Sequence, residues 1–216
     1  LGAAGWDRLK ALGGRAPRGP ASTIFRDGGY VVMRSGWTRD AHQLVFEAGP
    51  LGCRVTGAHG HADLLSVQCS VFGEPYLVDP GTYCYHGEPE WREWFRSTAA
   101  HNTVEVGGVS QSEPGGPFLW TTQSRTRTLT CDVGDHPMQA WSAEHDGYVR
   151  LSTPTVHRRS VTLDSPGRSL TVVDTFDAAI EVPLQLWWHL GPDIHVDLDG
   201  TQAALTWQVG PDSRRG

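Results

Sequence analysis

Along most of this chain, apolar and polar positions alternate with a period of two, and helical spacing is rare. Tyr30-Val31-Val32-Met33-Arg34 follows an Asp27-Gly28-Gly29 turn and predicts a strand, and His42 to Glu47 predicts another. Leu64 to Phe72 and Tyr76 to Asp79 flank Gly73-Glu74-Pro75, so the two read as a hairpin. Further strands are predicted at Thr103–Val106, Thr126–Val133, Ala140–His145, Thr155–Leu163, Ser169–Asp174, Leu184–His189 and Gln202–Val209. Pro89 to Ala99 reads either as a short helix or as an irregular loop. Residues 1–20 read as a short helical piece around Trp6, Leu9 and Leu12, then a Gly/Pro/Arg linker. The regular spacing of strands predicts an all-β fold over residues 21–216, a large antiparallel β-sandwich with a short helical N-terminal remnant. No internal repeat or low-complexity tract interrupts it.

Composition supports this and narrows function. The 26 glycines and 14 prolines favour a turn-rich β architecture. Nine tryptophans supply bulky core area or sugar-stacking surface. A formal net charge of −6 leaves no electrostatic footprint for nucleic acid. The basic residues are almost all arginine, Lys10 being the sole lysine. Arginine forks suit carboxylate and phosphate recognition, although genomic base composition explains such a bias equally well. Cys53, Cys69, Cys84 and Cys131 form no CxxC pair, which argues against a zinc ribbon or a thioredoxin-type site; disulfides and buried free thiols both stay open. No run of apolar residues is long enough to predict a membrane-spanning helix. The start, LGAAGWDRLKALGG, lacks an initiator Met and a signal-type apolar stretch, and the end, GPDSRRG, gives no natural stop. The expectation is therefore a piece of a longer chain, truncated at its C-terminus as well.

Chemistry concentrates in 57-GAHGHADLLSVQCSVFGEPYLVDPGTY-83, which gathers His59, His61, Asp63 and Asp79 around an apolar run. Zinc takes three or four N, S or O ligands at about 2.0–2.3 Å. In an antiparallel hairpin the start of one strand meets the end of the next. His61 and Asp79 are thus expected side by side, with His101 of 98-TAAHNTVEV-106 as third ligand. By spacing alone, ten histidines allow other triads.

The segments HGHADLLSVQCSVFGEPYLVDPGTYCY and WREWFRSTAAHNTVEVGG resemble the heparinase II/III-like family of polysaccharide lyases. So do 145-HDGY-148, 157-HRRSV-161 and 186-LWWHLGP-192; the resemblance runs over roughly residues 25–195. It implies the C-terminal β-sandwich of a lyase whose preceding domain, a partner in the same protein, is an α/α toroid; residues 1–20 would be its remnant or linker. It implies zinc, as a structural divalent metal, on His61, Asp79 and His101. It places His59 near the catalytic centre; on an extended strand His59 would share the face of His61. It asks for a tyrosine upstream of AHN: Tyr83 and Tyr85 are candidates, Tyr85 preferred.

Other residues have two readings each. Asp63 either orients a histidine or forms a turn. Asn102 either binds a substrate carboxylate or holds its own turn. Arg96 either binds an anionic sugar or is solvated, and solvation is the expectation for Arg92. Trp91 and Trp94 are sugar-stacking candidates, whereas Trp187-Trp188 reads as core and His145, His157 and His189 as structural.

The activity implied is β-elimination on an acidic, uronate-containing polysaccharide: glycosaminoglycan, alginate or exopolysaccharide. The location implied is bacterial periplasm or secretion. Lacking the toroid, this chain is expected to be inactive alone. Two other functions compete with this one. One is a non-catalytic carbohydrate-binding or scaffolding sandwich. The other is a hydrolase whose zinc activates water.

Overall fold

The computed structural model describes residues 21–207 apart from 39, 179 and 180. The expected N-terminal helical piece and the end of the last expected strand lie outside the described residues.

Strands β1 (Thr23–Phe25), β2 (Tyr30–Arg34), β3 (Gln43–Glu47), β4 (Val67–Val71) and β5 (Glu74–Leu77) form an antiparallel meander in that order. Helix α1 (Pro89–Phe95) and a 3-10 turn (Thr98–Ala100) follow. Next come β6 (Val104–Val106) and a short hairpin of β7 (Pro114–Gly116) and β8 (Leu119–Trp120). A four-stranded antiparallel sheet holds β9 (Thr126–Asp132), β10 (Met138–His145), β11 (His157–Asp164) and β12 (Ser169–Phe176), ordered β12-β11-β10-β9. β13 (Leu184–Leu186) returns to pair with β6. β14 (Ile194–Asp199) and β15 (Gln202–Trp207) close the described chain as a hairpin.

The two larger sheets face each other, which makes the fold the all-β antiparallel sandwich that the spacing predicts. Val31 and Met33 of β2 and Leu44 and Phe46 of β3 point inward, where Trp141, Ala143, Val161 and Leu163 of β10 and β11 meet them in one cluster. Period-two alternation places these side chains on one face, and burying each large one contributes about 1.5–3 kcal/mol. The β4–β5 turn has Phe72 at φ 52 and Gly73 at φ 78, the two positive values that a tight two-residue hairpin needs.

The inner face does not stay apolar. Along β11 the inward row runs His157, Arg159, Val161, Leu163, so one half of that row is polar. Along β10 it ends at His145. This polar half lies toward the candidate site. The expected strand from Leu64 begins only at Val67, so His61 is not at a strand head. Residues 51–66 are turns and bends instead.

Candidate functional site

Three places in the chain converge. They are the loop before β4, the turn after β5 and the 3-10 turn before β6. The first is held by its neighbours rather than by regular pairing. Leu64 N–H donates to Gln111 Oε1 and Leu64 O accepts from Gln111 Nε2, both at 2.9 Å. Ala62 N–H donates to Arg96 O at 2.9 Å, and Thr98 Oγ1 donates to Ala62 O at 2.8 Å. Trp120 Nε1–H donates to Gly60 O at 3.2 Å. Buried backbone groups need partners; here side chains supply what a ladder would.

His101 ends the 3-10 turn and is fully buried. Its Nδ1 lies 2.6 Å from Asp79 Oδ2, and the other oxygen, Oδ1, accepts from Gly81 N–H at 2.8 Å. His101 Nε2 is buried and has no partner. The rings of His61 and His101 are 5.2 Å apart, and His61 Nε2 lies 3.3 Å from Thr82 Oγ1. One ligand atom each from His61, Asp63 and His101 falls within 4.8 Å of the others.

This set fits a divalent cation. His101 Nε2, buried and without a hydrogen bond, is available to ligate. Burial, then the charge of His101, pushes His61 down to about 4, which keeps its imidazole neutral and able to ligate. Burial acts upward on Asp79, but the hydrogen bond with His101, the charge of His101, the Gly81 N–H and the charge of His61 together outweigh it and leave the carboxyl below its usual range. Asp63 is pushed up, first by burial and then by the charge of Glu47. Glu47, hydrogen-bonded to Tyr30, is raised chiefly by burial.

The expected trio of His61, Asp79 and His101 is brought together, and Asp63 joins it. The 2.6 Å between Asp79 and His101 is a hydrogen-bond distance. Two ligands of one tetrahedral zinc sit about 3.3 Å apart by the usual bond lengths. In this geometry Asp79 orients His101, and Asp63 offers the third ligand atom.

His59 and His61 line one cavity of about 350 Å³, together with Tyr30, Glu47, Asp63 and Thr82. They do so without sharing a strand face, because His59 sits in a turn at φ 64. The His59 ring meets Tyr85 edge-on at 5.6 Å and Phe118 at 5.7 Å. Tyr85 is 43% exposed and carries the Arg92 guanidinium 5.2 Å over its ring. Tyr83 is held elsewhere, stacked on Phe95 at 5.0 Å with its hydroxyl on Glu88. Of the two tyrosines, Tyr85 is therefore the neighbour of His59.

Several expectations about individual residues change. Arg92 and Arg96 are buried, not solvated. The Arg96 fork pairs with Glu93 at 2.6 Å, and Arg92 donates to Pro117 O at 3.1 Å. Asn102 is buried too; its amide donates to Val67 O and Val78 O and its oxygen accepts from His189 N–H. Arg96 and Asn102 thus brace the loops. Trp91 is half exposed on α1, beside Trp94 and Phe95. His145, His157 and His189 are hydrogen-bonded within the fold, as expected. All four cysteines are free thiols.

Sequence reasoning missed Glu47, Tyr30, Gln111, Trp120 and Arg159. Only Arg159 carried a signal, its in-phase spacing with Val161 and Leu163.

The site is thus a histidine–carboxylate cluster on the loops of an antiparallel sandwich, beside an exposed His–Tyr pair. Residues 17–212 match the heparinase II/III-like family, C-terminal part, and the chain belongs to that family. It is 30% identical over 141 residues to a heparin-sulfate lyase of Bacteroides stercoris, covering 63% of this chain and 18% of that protein. It is 24% identical over 155 residues to one of Bacteroides thetaiotaomicron, covering 68% and 20%. The solved heparinase III gene product superposes with TM-score 0.70 at 26% identity, over 89% of this chain and 28% of that one. Heparan sulfate lyase HepC from Pedobacter heparinus shares the fold, with TM-score 0.68 at 21% identity over 91% of this chain and 30% of that one. The chain thus spans about a fifth of the length of these curated relatives. No helix among the described residues is long and apolar enough to cross a membrane.

Proposed function

We propose that this chain is the β-sandwich part of a lyase that cleaves uronate-containing polysaccharide by β-elimination. The carrying observation is the exposed His59, in ring contact with Tyr85, lining the same cavity as His61 and Asp63 of the metal-competent cluster. Family membership and heparin-sulfate lyase relatives support the substrate class.

In the reaction the proton leaves C5, beside the uronate carboxylate. The C4–O4 bond breaks, a C4–C5 double bond forms, and the departing oxygen takes a proton. No water is consumed. His59 and Tyr85 are side by side and exposed, so one can receive the C5 proton while the other delivers one to O4. His61, His101 and Asp63 would hold zinc, with Asp79 orienting His101; when bound the metal supplies a fixed positive charge and a structural clamp. Trp91 offers a stacking face to sugar rings. Groups that neutralise the substrate carboxylate would come from an N-terminal toroid domain, which makes this chain inactive alone. A periplasmic or secreted location follows from a polymer too large to enter a cell.

The test uses the longer protein with this sandwich and whatever precedes it. His59→Ala and Tyr85→Phe should each abolish the ultraviolet absorbance of the unsaturated product while leaving sugar binding. Binding with no product from the unaltered protein would favour a non-catalytic carbohydrate-binding sandwich. Saturated product ends would favour hydrolysis.

A further inference from the structure

Among the described residues, the arginines fall into two groups. Arg96, Arg127, Arg150, Arg158 and Arg159 are ion-paired. Arg92 donates to a carbonyl, and Arg34 and Arg168 lie over the rings of Trp37 and Phe72. Arg26, Arg54 and Arg125 remain without an ion pair, a side-chain hydrogen bond or a ring contact. These three are far apart in sequence, following β1, preceding β4 and preceding β9. All three nevertheless line one cavity of about 600 Å³.

The rest of that cavity suits an anion. Asp27 is the one carboxylate among its described lining residues, and Gln123, Ser124, Thr126 and Thr128 add polar groups. Trp141 and Ile24 give it an apolar floor. Three like charges around one concavity repel each other unless an anion enters. Guanidinium forks match sulfate and carboxylate oxygens two at a time. The chain as a whole carries −6, so this local positive field runs against its net charge. The cavity also adjoins the His59–His61 cavity: Pro50 lines both, and the neighbouring Gly29 and Gly28 line one each.

We propose that the Arg26–Arg54–Arg125 cavity binds a sulfate or carboxylate group of an acidic polysaccharide, on a sugar beyond the one at His59 and Tyr85. This rests on the reading of that pair as the site of action on such a polymer. The cavity holds the chain in register and selects for charge at a distance from the reacting bond.

The experiment is calorimetric titration of this chain with sulfated, carboxylated and neutral oligosaccharides of equal length, at several salt concentrations. The sulfated and carboxylated arms decide which group is held. An acidic oligosaccharide should bind and the neutral one should not. Changing Arg26, Arg54 and Arg125 together to Ala should weaken binding by about tenfold or more and flatten its salt dependence. Each single substitution should weaken it by less, which guards against loss of fold in the triple variant. Arg168→Ala, outside this cavity, should bind like the unaltered chain. Unchanged affinity in the triple variant, or equal binding of the neutral oligosaccharide, overturns the proposal. The lyase reading fails separately. If the longer protein leaves saturated ends while the arginine dependence persists, only that reading falls. If elimination proceeds with unchanged KM in the triple variant, only the arginine site falls.

Discussion

At His101 the two ring nitrogens have different duties. Nδ1 is held by Asp79 and Nε2 is left buried with nothing to bind. A buried polar atom without a partner costs about 1–3 kcal/mol, which a ligand on Nε2 would offset. His101→Ala should therefore abolish zinc retention. Asp79→Asn should lower zinc affinity by about 10–100-fold, the usual effect of loosening a ligand's orienting partner. Competition with a chromophoric chelator measures both, and full affinity in His101→Ala would remove the metal from this cluster. Gly57 shows the same loop from the backbone side. Its φ is +71, and an added Cβ would come within 2.7 Å of Trp120 Cδ1. Gly57→Ala should cost about 1–3 kcal/mol through strain at this turn, read from urea unfolding. The Trp120 ring is also covered by the Arg96 guanidinium at 4.8 Å, which leaves it little room to move aside.

Among the elements, β11 does most to join the core to the site. Arg159 is fully buried; it pairs with Asp174 at 2.7 Å and donates to Leu65 O at 2.9 Å and Asn102 O at 2.6 Å. Those two carbonyls lie in the loops that carry Asp63 and His101. Arg159→Met should cost about 3–5 kcal/mol, because it takes the ion pair from the half-buried Asp174 and leaves it only the hydrogen bond with His157. Arg159→Lys should recover part of that, and chemical unfolding compares the two. The same network sets an acid limit. Burial, ahead of other causes, holds His145 and His157 below their ordinary range. The unfolded chain takes protons at these histidines near pH 6.5 while the folded chain does not. Stability therefore falls as pH drops below about 6.5. Asp174 behaves likewise lower down: burial acts upward, but the bonds from His157 and Arg159 bring it to about 2. Its contribution is present above its unfolded value near 4 and is lost as pH falls toward about 2. A melting temperature that stays flat from pH 7 to 5 would contradict the histidine part. Strand-level structure was legible in sequence wherever alternation is clean, as at β2, expected and found at Tyr30–Arg34. It was not legible at β7 and β8, which hold Pro114, Gly115 and Gly116 and owe their pairing to tertiary contact. The proximity of His61, Asp79 and His101 was expected from hairpin geometry and family resemblance, but His61 reaches the cluster from a turn and not from the head of β4. Asp63 carries a ligand atom of the cluster, beyond the two expectations for it of orienting a histidine or forming a turn, because a turn leaves no periodic trace.

For the molecule as a whole, the centre ties together pieces that the sheets alone leave separate. His61 and Asp63 lie in the loop before β4, Asp79 just past β5, and His101 before β6. An ion gripped there closes two loops at one point, and the unfolded chain offers no such preformed grip. Binding free energy then becomes folding free energy. At about a hundred times its Kd, zinc adds about 2.7 kcal/mol to stability. For a domain of this length that raises the melting temperature by roughly 5–10 °C. Thermal scans of the chain with zinc, and again after chelation, should show this shift, and His101→Ala should show none. A melting temperature indifferent to zinc in the unaltered chain would leave the three loops held by their hydrogen bonds alone.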